Sequence, residues 1–221
     1  MAIIMHIQGF ALGAFQTNCY VVTDEGTRTA LVIDPGYNPE IVLDAIDDYK
    51  VTHILLTHAH LDHIGGLGKL KEVTGAPIYI HENEKDWLTN PMLNGSGRWP
   101  QLGGPITDPA ADHFVAEGDK IPFAGRELSV VFVPGHSPGS VAYILEDQVF
   151  AGDTLFYGSI GRTDLPGGDF DTLITSIRTK LYTLPPQTVV YPGHGPETTV
   201  EREKKLNPFV REDYVYDGEI E

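Results

Sequence analysis

The chain has 221 residues and a formal net charge of −16, from 31 acidic and 15 basic side chains. That length suits one sizeable domain with a large core, and an acidic surface repels phosphate backbones, which disfavours nucleic acid as a partner. Hydrophobic content is 41%, ordinary for a globular protein, and no run approaches the roughly 20 apolar residues of a membrane span.

The first 22 residues are apolar but interrupted by His6, Gln8, Gln16 and Asn18, without a basic leader. They read as strand rather than secretion signal. Cys19 is the single cysteine and cannot pair within the chain, which points to a reducing, cytoplasmic setting. It is expected to be a small buried residue. Strands are predicted over 3–10, 18–23 and 29–33, with turns at Gly13 and at 24–27. A helix follows over 38–50, capped by Asn38, with Pro39 at its first position. Residues 53–57 (HILLT) form a continuously apolar run, as in a strand buried on both faces. A helix is predicted over 62–73 despite Gly65 and Gly66, then a strand over 76–80 and a short helix over 82–88. Residues 90–111 are rich in Gly and Pro and read as a long loop on the substrate side. Three strands follow, over 127–133, 140–146 and 148–152, then a second long loop over 154–168. A helix is predicted over 171–182 and a strand over 188–192. The last helix covers 198–206, where Thr198 and Glu201 fit a capping box.

Strands fall in two clusters with helices between them, and strict βαβ alternation is absent. A sheet-on-sheet core with outer helices fits better than a doubly wound sheet. The two halves also rhyme. Each has a strand ending in an acid (LVIDPG, VFAGDT) and one ending in histidine (LLTHAH, VVYPGH), as a duplicated half-domain would.

The stretch THAHLDH offers His58, His60, Asp62 and His63 within six positions after the buried strand. Residues two apart on a strand face one side, so His58 and His60 can enter one pocket. Asp62 and His63 then present from the first turn of a helix. Imidazole with carboxylate suits zinc, iron or manganese. Three more candidates stand at strand ends beside glycine: His136 in VPGHSPG, Asp153 in FAGDT and His194 in YPGHGP. Seven ligands exceed one tetrahedral zinc, which takes three protein ligands when catalytic. They suit two metals sharing a carboxylate, and Asp153 is the natural bridge, because a neutral imidazole cannot span two ions. His6, His53, His81 and His113 lack such partners and are read as ordinary surface or core residues.

This motif set, His58-x-His60-x-Asp62-His63 followed by His136, Asp153 and His194, resembles the metallo-β-lactamase superfamily over almost the whole chain. The resemblance implies an α/β, four-layer αβ/βα sandwich of two mixed sheets with outer helices. It implies a single domain over residues 1–221 without the separate C-terminal helical substrate domain of longer relatives. By the same resemblance His58, His60 and His136 hold one divalent ion, Asp62, His63 and His194 a second, and Asp153 bridges them together with a water or hydroxide. Zinc is the leading metal, with iron and manganese as alternatives. The IDPG motif implies that Asp34 orients a ligand; a plain turn aspartate before Pro35 is the alternative.

Paired metals generate hydroxide near neutral pH and polarise a carbonyl, the needs of acyl hydrolysis. No GxSxG nucleophile motif is present. Asp62 is the candidate to orient or deprotonate the water. A thiolate, from a thiol of pKa roughly 8.5, leaves with little acid help, so a thioester fits more easily than an amide. AGDTLFYGSIGRTDLPGGD and YPGHGPETTVEREKKLNPF resemble the short bacterial glyoxalase II, or hydroxyacylglutathione hydrolase, group. That implies a small-molecule thioester substrate such as S-lactoylglutathione. Two departures weaken the glutathione assignment. Where the long enzymes place Lys and Tyr, this chain has Gly161-Arg162-Thr163-Asp164, and Arg162 is either a replacement carboxylate clamp or a surface arginine. Gly195-Pro196 stands where they have a tyrosine after the histidine. The alternative resemblance is to persulfide dioxygenases, which share GRTD and LNP and would use one iron on His58, His136 and Asp153. They have alanine before the last histidine and aspartate after it, where this chain has Gly193 and Gly195. Lactone or β-lactam hydrolysis and a non-catalytic metal-binding module are further alternatives. Oligomeric state is not encoded in any motif.

Overall fold

In the computed structural model, residues 5–107 and 109–211 are described. β-Branched and apolar residues alternate in the early strands, and each alternation feeds two cores. β1 (Met5–Leu12), β2 (Thr17–Asp24), β3 (Thr29–Ile33), β4 (Lys50–Leu55), β5 (Ile78–His81) and β6 (His113–Val115) form one six-stranded sheet in that order. The first two pairings are antiparallel and the other three parallel. β7 (Lys120–Phe123), β8 (Arg126–Phe132), β9 (Val141–Leu145), β10 (Gln148–Gly152), β13 (Val189–Pro192) and β14 (Thr198–Thr199) form the second, ordered β14-β13-β10-β9-β8-β7. Only β10 and β13 run parallel in it. A hairpin of β11 (Leu155–Phe156) and β12 (Ser159–Ile160) stands apart.

The inner faces of both sheets meet in one core: Val22, Leu31, Ile33 and Leu55 pack with Leu128, Val130, Tyr143 and Phe150. The alternate residues of the first sheet, Val21, Ala30, Val32 and Ile54, face outward onto α1 (Glu40–Ile46), α2 (Leu61–Ile64) and α3 (Leu67–Thr74). Ala142, Val149, Ala151 and Val190 of the second sheet pack against α4 (Phe170–Ser176), the π-turn after it (Ile177–Leu181) and α5 (Val200–Leu206). The result is the expected αβ/βα layering of two mixed sheets. No helix among the described residues is long and apolar enough to cross a membrane.

Several local expectations are corrected. The first strand begins at Met5, and positions 3–4 lie outside the described residues. Asn38 does not cap α1; it sits at φ +58° and Pro39 takes the cap position without a side-chain bond. The helix expected over 62–73 is two helices broken at Gly65-Gly66. A Cβ on Gly65 would lie 2.5 Å from the Tyr37 ring and one on Gly66 2.3 Å from the Gly36 carbonyl, so the break brings two backbones together. The segment 82–88 keeps only a single 3-10 turn, Glu82–Glu84. The helix expected over 171–182 passes into the π-turn at Ile177. The helix expected over 198–206 begins at Val200, after β14; Thr199, not Thr198, caps it by accepting from the Arg202 amide, while the Thr198 hydroxyl donates to Glu203. The strands β6 and β7 and the β11–β12 hairpin were not anticipated; β6 has only three residues and β11 and β12 two each.

Candidate metal centre

Every candidate ligand lies at the carboxyl end of a strand, along one edge of the sandwich. His58 and His60 follow β4, with Asp62 and His63 on α2. His136 follows β8, Asp153 follows β10 and His194 follows β13. Parallel pairing of β10 with β13, in register Gly152 to Pro192, sets Asp153 beside His194.

The seven residues converge in two clusters. In the first, His60 Nδ1 is 2.9 Å from His136 Nε2, which is 3.2 Å from His58 Nε2. In the second, Asp62 Oδ2 is 3.2 Å from His194 Nε2 and 3.6 Å from His63 Nε2. Asp153 joins them. Its Oδ2 lies 3.5 Å from both His136 Nε2 and His194 Nε2, while Oδ1 faces His63 Nε2 at 3.3 Å. One oxygen of Asp153, Oδ2, thus stands near one histidine of each cluster. Zinc–nitrogen bonds of about 2.0–2.1 Å give tetrahedral ligand-to-ligand edges of roughly 3.3 Å, close to these separations.

The outward nitrogens fix which atoms face the centre. His136 Nδ1 donates to the Arg162 carbonyl at 2.8 Å, leaving Nε2 as the inward lone pair. His58 Nδ1 contacts Thr57 Oγ1 at 3.1 Å, and His63 Nδ1 lies 2.9 Å from Asp34 Oδ2. Asp34 also accepts from the Thr57 amide and hydroxyl, which fixes its carboxylate against the His63 ring. With Nδ1 donating, His63 turns Nε2 toward two carboxylates, where it holds a proton or, once deprotonated, offers a lone pair to a cation. That atom and Asp153 Oδ1 are both buried and unpaired by hydrogen bonds. Such acceptor-rich, unpartnered geometry fits a cation, and the imidazole and carboxylate donors suit a divalent transition metal.

Electrostatics divide the clusters in the same way. Burial, reinforced by neighbouring imidazoles, depresses the His58 pKa strongly and takes His60 down to about 3, so both stay neutral and ready to ligate. Burial opposes charge on His63, but the carboxylates of Asp153, Asp62 and Asp34 hold its pKa well above the usual value. His194 rises to about 9 against its own burial, through Asp153 and Asp62. Asp62, despite burial, falls to about 2 beside His63 and His194. The second cluster thus concentrates negative charge, which a divalent cation neutralises in place of protons.

Three supporting residues had no sequence signal. Thr17 Oγ1 donates to Asp62 Oδ2 at 2.7 Å. Thr57, immediately before the histidine run, braces Asp34. Glu84 is fully buried and ties the two turns of the first cluster together. It accepts from the Ala59 amide at 2.6 Å, the Gly139 amide at 2.8 Å and the Ser137 hydroxyl. Burial raises its pKa, partly offset by those donors.

Above the centre lies a cavity of about 380 Å³. Phe15, Leu61, Trp99, Phe156, Ile160 and Leu165 give it apolar walls; Trp99 comes from the 90–111 loop. Arg162 lines it too, but its guanidinium is held in a two-point ion pair by Asp164, both bonds 2.7 Å. The other histidines stand elsewhere. His53 and His113 contact the Tyr79 ring and His81 stacks on Phe132. Among the described residues none of these joins a candidate metal group.

Comparison with known proteins agrees with this geometry. Residues 12–194 match the family model of the metallo-beta-lactamase superfamily. The chain is 44% identical to the probable metallo-hydrolase YqgX of Bacillus subtilis, over 90% of this chain and 94% of that protein. It is 38% identical to the hydroxyacylglutathione hydrolase GloC of Haemophilus influenzae, over 93% and 98%. A crystal structure of the BLEG-1 B3 metallo-beta-lactamase superposes with a TM-score of 0.88 at 41% identity, covering 93% of this chain and 99% of that one. The di-iron-bound form of TTHA1623 gives 0.79 at 39%, covering 92% and 100%. With the fold, the ligand geometry and these relatives in agreement, the chain belongs to the metallo-beta-lactamase superfamily.

Proposed function

We propose that this protein is a dinuclear metal-dependent hydrolase acting on a small thioester, S-lactoylglutathione or a related glutathione thioester. The observation that carries the reading is the placement of Asp153 Oδ2, 3.5 Å from one histidine of each cluster. It makes the two clusters one centre. The name of the Haemophilus relative supports the thioester. Zinc is the proposed metal, with iron or manganese suiting the same donors. The proposed setting is the cytoplasm, from the single buried cysteine.

A divalent pair bound here supplies Lewis acidity and a water whose pKa is lowered toward neutrality. The chain's own residues do the rest. Thr17 fixes the Asp62 carboxylate, which orients the water and takes up its proton. The apolar walls exclude bulk solvent around the acyl group. Among the described residues that line the cavity, no side-chain acid stands apart from the proposed metal ligands, which suits a thiolate leaving group.

The test is a paired assay on purified protein with metal analysis. Thiol release from S-lactoylglutathione is compared with oxygen uptake on glutathione persulfide. Thiol release with two metals per chain is expected. Oxygen uptake without thiol release would overturn the reading in favour of a single-iron dioxygenase.

A further inference from the structure

Gly193 lies between β13 and His194, and its φ lies outside the left-handed region. Its torsions therefore do not call for glycine. Space does. An ideal Cβ here would sit 2.1 Å from Asp153 Oδ1 and 2.8 Å from His63 Cε1. The backbone has no room to retreat. The Gly193 amide donates to the Gly152 carbonyl at 2.8 Å, and its carbonyl accepts from the Asn18 amide at 2.7 Å. Asn18 Nδ2 also holds the Pro192 carbonyl at 3.0 Å. A side chain at 193 must therefore displace the Asp153 carboxylate and the His63 ring.

Those two groups serve the second cluster and the junction. The nearest neighbours of the added Cβ include no atom of His58, His60 or His136. Other glycines at the site differ. Gly195 has φ +76° and open space, while the Cβ of Gly161 would meet the Asp153 main-chain oxygen. Among the described glycines, Gly193 is the one whose Cβ would strike the side-chain oxygens of Asp153.

We propose that Gly193 sets the nuclearity of the centre: the bare Cα lets Asp153 and His63 share the space a second metal needs, and a methyl group there restricts the site to one metal. The proposal rests on the dinuclear reading above. It makes Gly193 a positioning residue, acting through Asp153 and His63 without touching the metals.

The test is Gly193→Ala, loaded with zinc, dialysed and counted for metal per chain, with a cobalt titration to read each site's spectrum. Wild-type protein is expected to hold two metals. The variant is expected to hold one, with the second affinity weakened about 10–100-fold or more and the first-site cobalt spectrum retained. Two metals at wild-type affinity, or equal loss of both, would overturn the proposal. A wild-type chain that holds only one metal would instead overturn the dinuclear reading on which it rests. If Gly193→Ala is recovered only unfolded, the double variant Gly193→Ala/Asp153→Ala decides. Folded protein in the yield of Asp153→Ala alone supports crowding at the carboxylate, and no recovery overturns it.

Discussion

Asp34 and Glu84 act on the metal centre from behind its ligands, and each has a distinct consequence. Asp34 holds His63 Nδ1 at 2.9 Å and is itself held by Thr57. Replacing it with alanine frees the His63 ring directly and reaches the first cluster only through Thr57, whose hydroxyl also contacts His58. Asp34→Ala is expected to weaken the second metal about 10–100-fold, read by zinc titration of the purified variant. Loss of both metals to the same degree would contradict that role. Glu84 has a structural burden as well, since Ala59, Gly139 and Ser137 all donate to it in the dry interior. Glu84→Ala is expected to destabilise the metal-free protein by roughly 3 kcal/mol or more, the cost of buried donors left unpaired, measured by urea unfolding. Glu84→Gln is no rescue, because its NH2 must face one of the same donors. The seven candidate ligands were legible because metal chemistry favours such residues at short, histidine-rich strand ends. The supports were not. Thr17 lies 45 residues from Asp62, and Glu84 lies 25 and 55 residues from its amide donors, so only the fold brings them together. Arg162 shows the converse: the sequence marks the residue, but the Asp164 partner that occupies its guanidinium appears only in three dimensions.

The elements most easily read are those whose period is long enough to be visible. β2, β3 and β4 alternate between two cores, and α4 shows one apolar stripe with Leu173 buried. The β11–β12 hairpin is invisible to such patterns, since two-residue strands carry no period. It is built by tertiary contacts instead. Asn207 Nδ2 donates to the Ser159 carbonyl at 2.9 Å, and the Gly158 amide donates to buried Glu203 at 2.9 Å. Arg202 stacks 3.5 Å above the Tyr157 ring. The LNP segment after α5 thus shapes the cavity, because the hairpin presents Phe156 and Ile160 to it. Asn207→Ala removes the bond to Ser159, about 1 kcal/mol of support for that wall, together with its bonds to Glu203 and the Phe209 amide, and loosens the hairpin. KM is expected to rise about fivefold with kcat little changed, as measured by steady-state thioester hydrolysis. A fall in kcat at constant KM would mean that the hairpin serves the chemistry rather than the wall. The α2–α3 break has a similar origin, in Gly65 and Gly66 packed against Tyr37 and Gly36.

At the scale of the molecule, the sheet-on-sheet architecture follows from strands with two apolar faces, and strand clustering made it legible. Which strands pair across the chain was not legible, because β13 crosses over to run parallel beside β10 and no local signal records that step. The same crossover brings Asp153 next to His194, so topology and metal centre arise together. The charge also acts at this scale. A net charge of −16 surrounds a cavity whose lining arginine is already paired with Asp164. Two divalent ions would still leave the molecule strongly acidic, so an approaching anion meets a repulsive distant field. A glutathione thioester carries net negative charge, and a neutral thioester does not. Salt shortens the Debye length from about 30 Å at 0.01 M to about 8 Å at 0.15 M, which hides the distant charges before it weakens contacts inside the cavity. The second-order rate constant kcat/KM for S-lactoylglutathione is therefore expected to rise about threefold or more over that range, while that for an uncharged thioester stays flat. Stopped-assay rates at low substrate, at constant metal and pH, measure both. A rate for the anionic substrate that falls with salt would mean that a local positive field outweighs the surface. Asp164→Asn, by releasing Arg162 at the cavity rim, is expected to raise the low-salt rate for the anionic thioester alone and so to flatten its salt dependence.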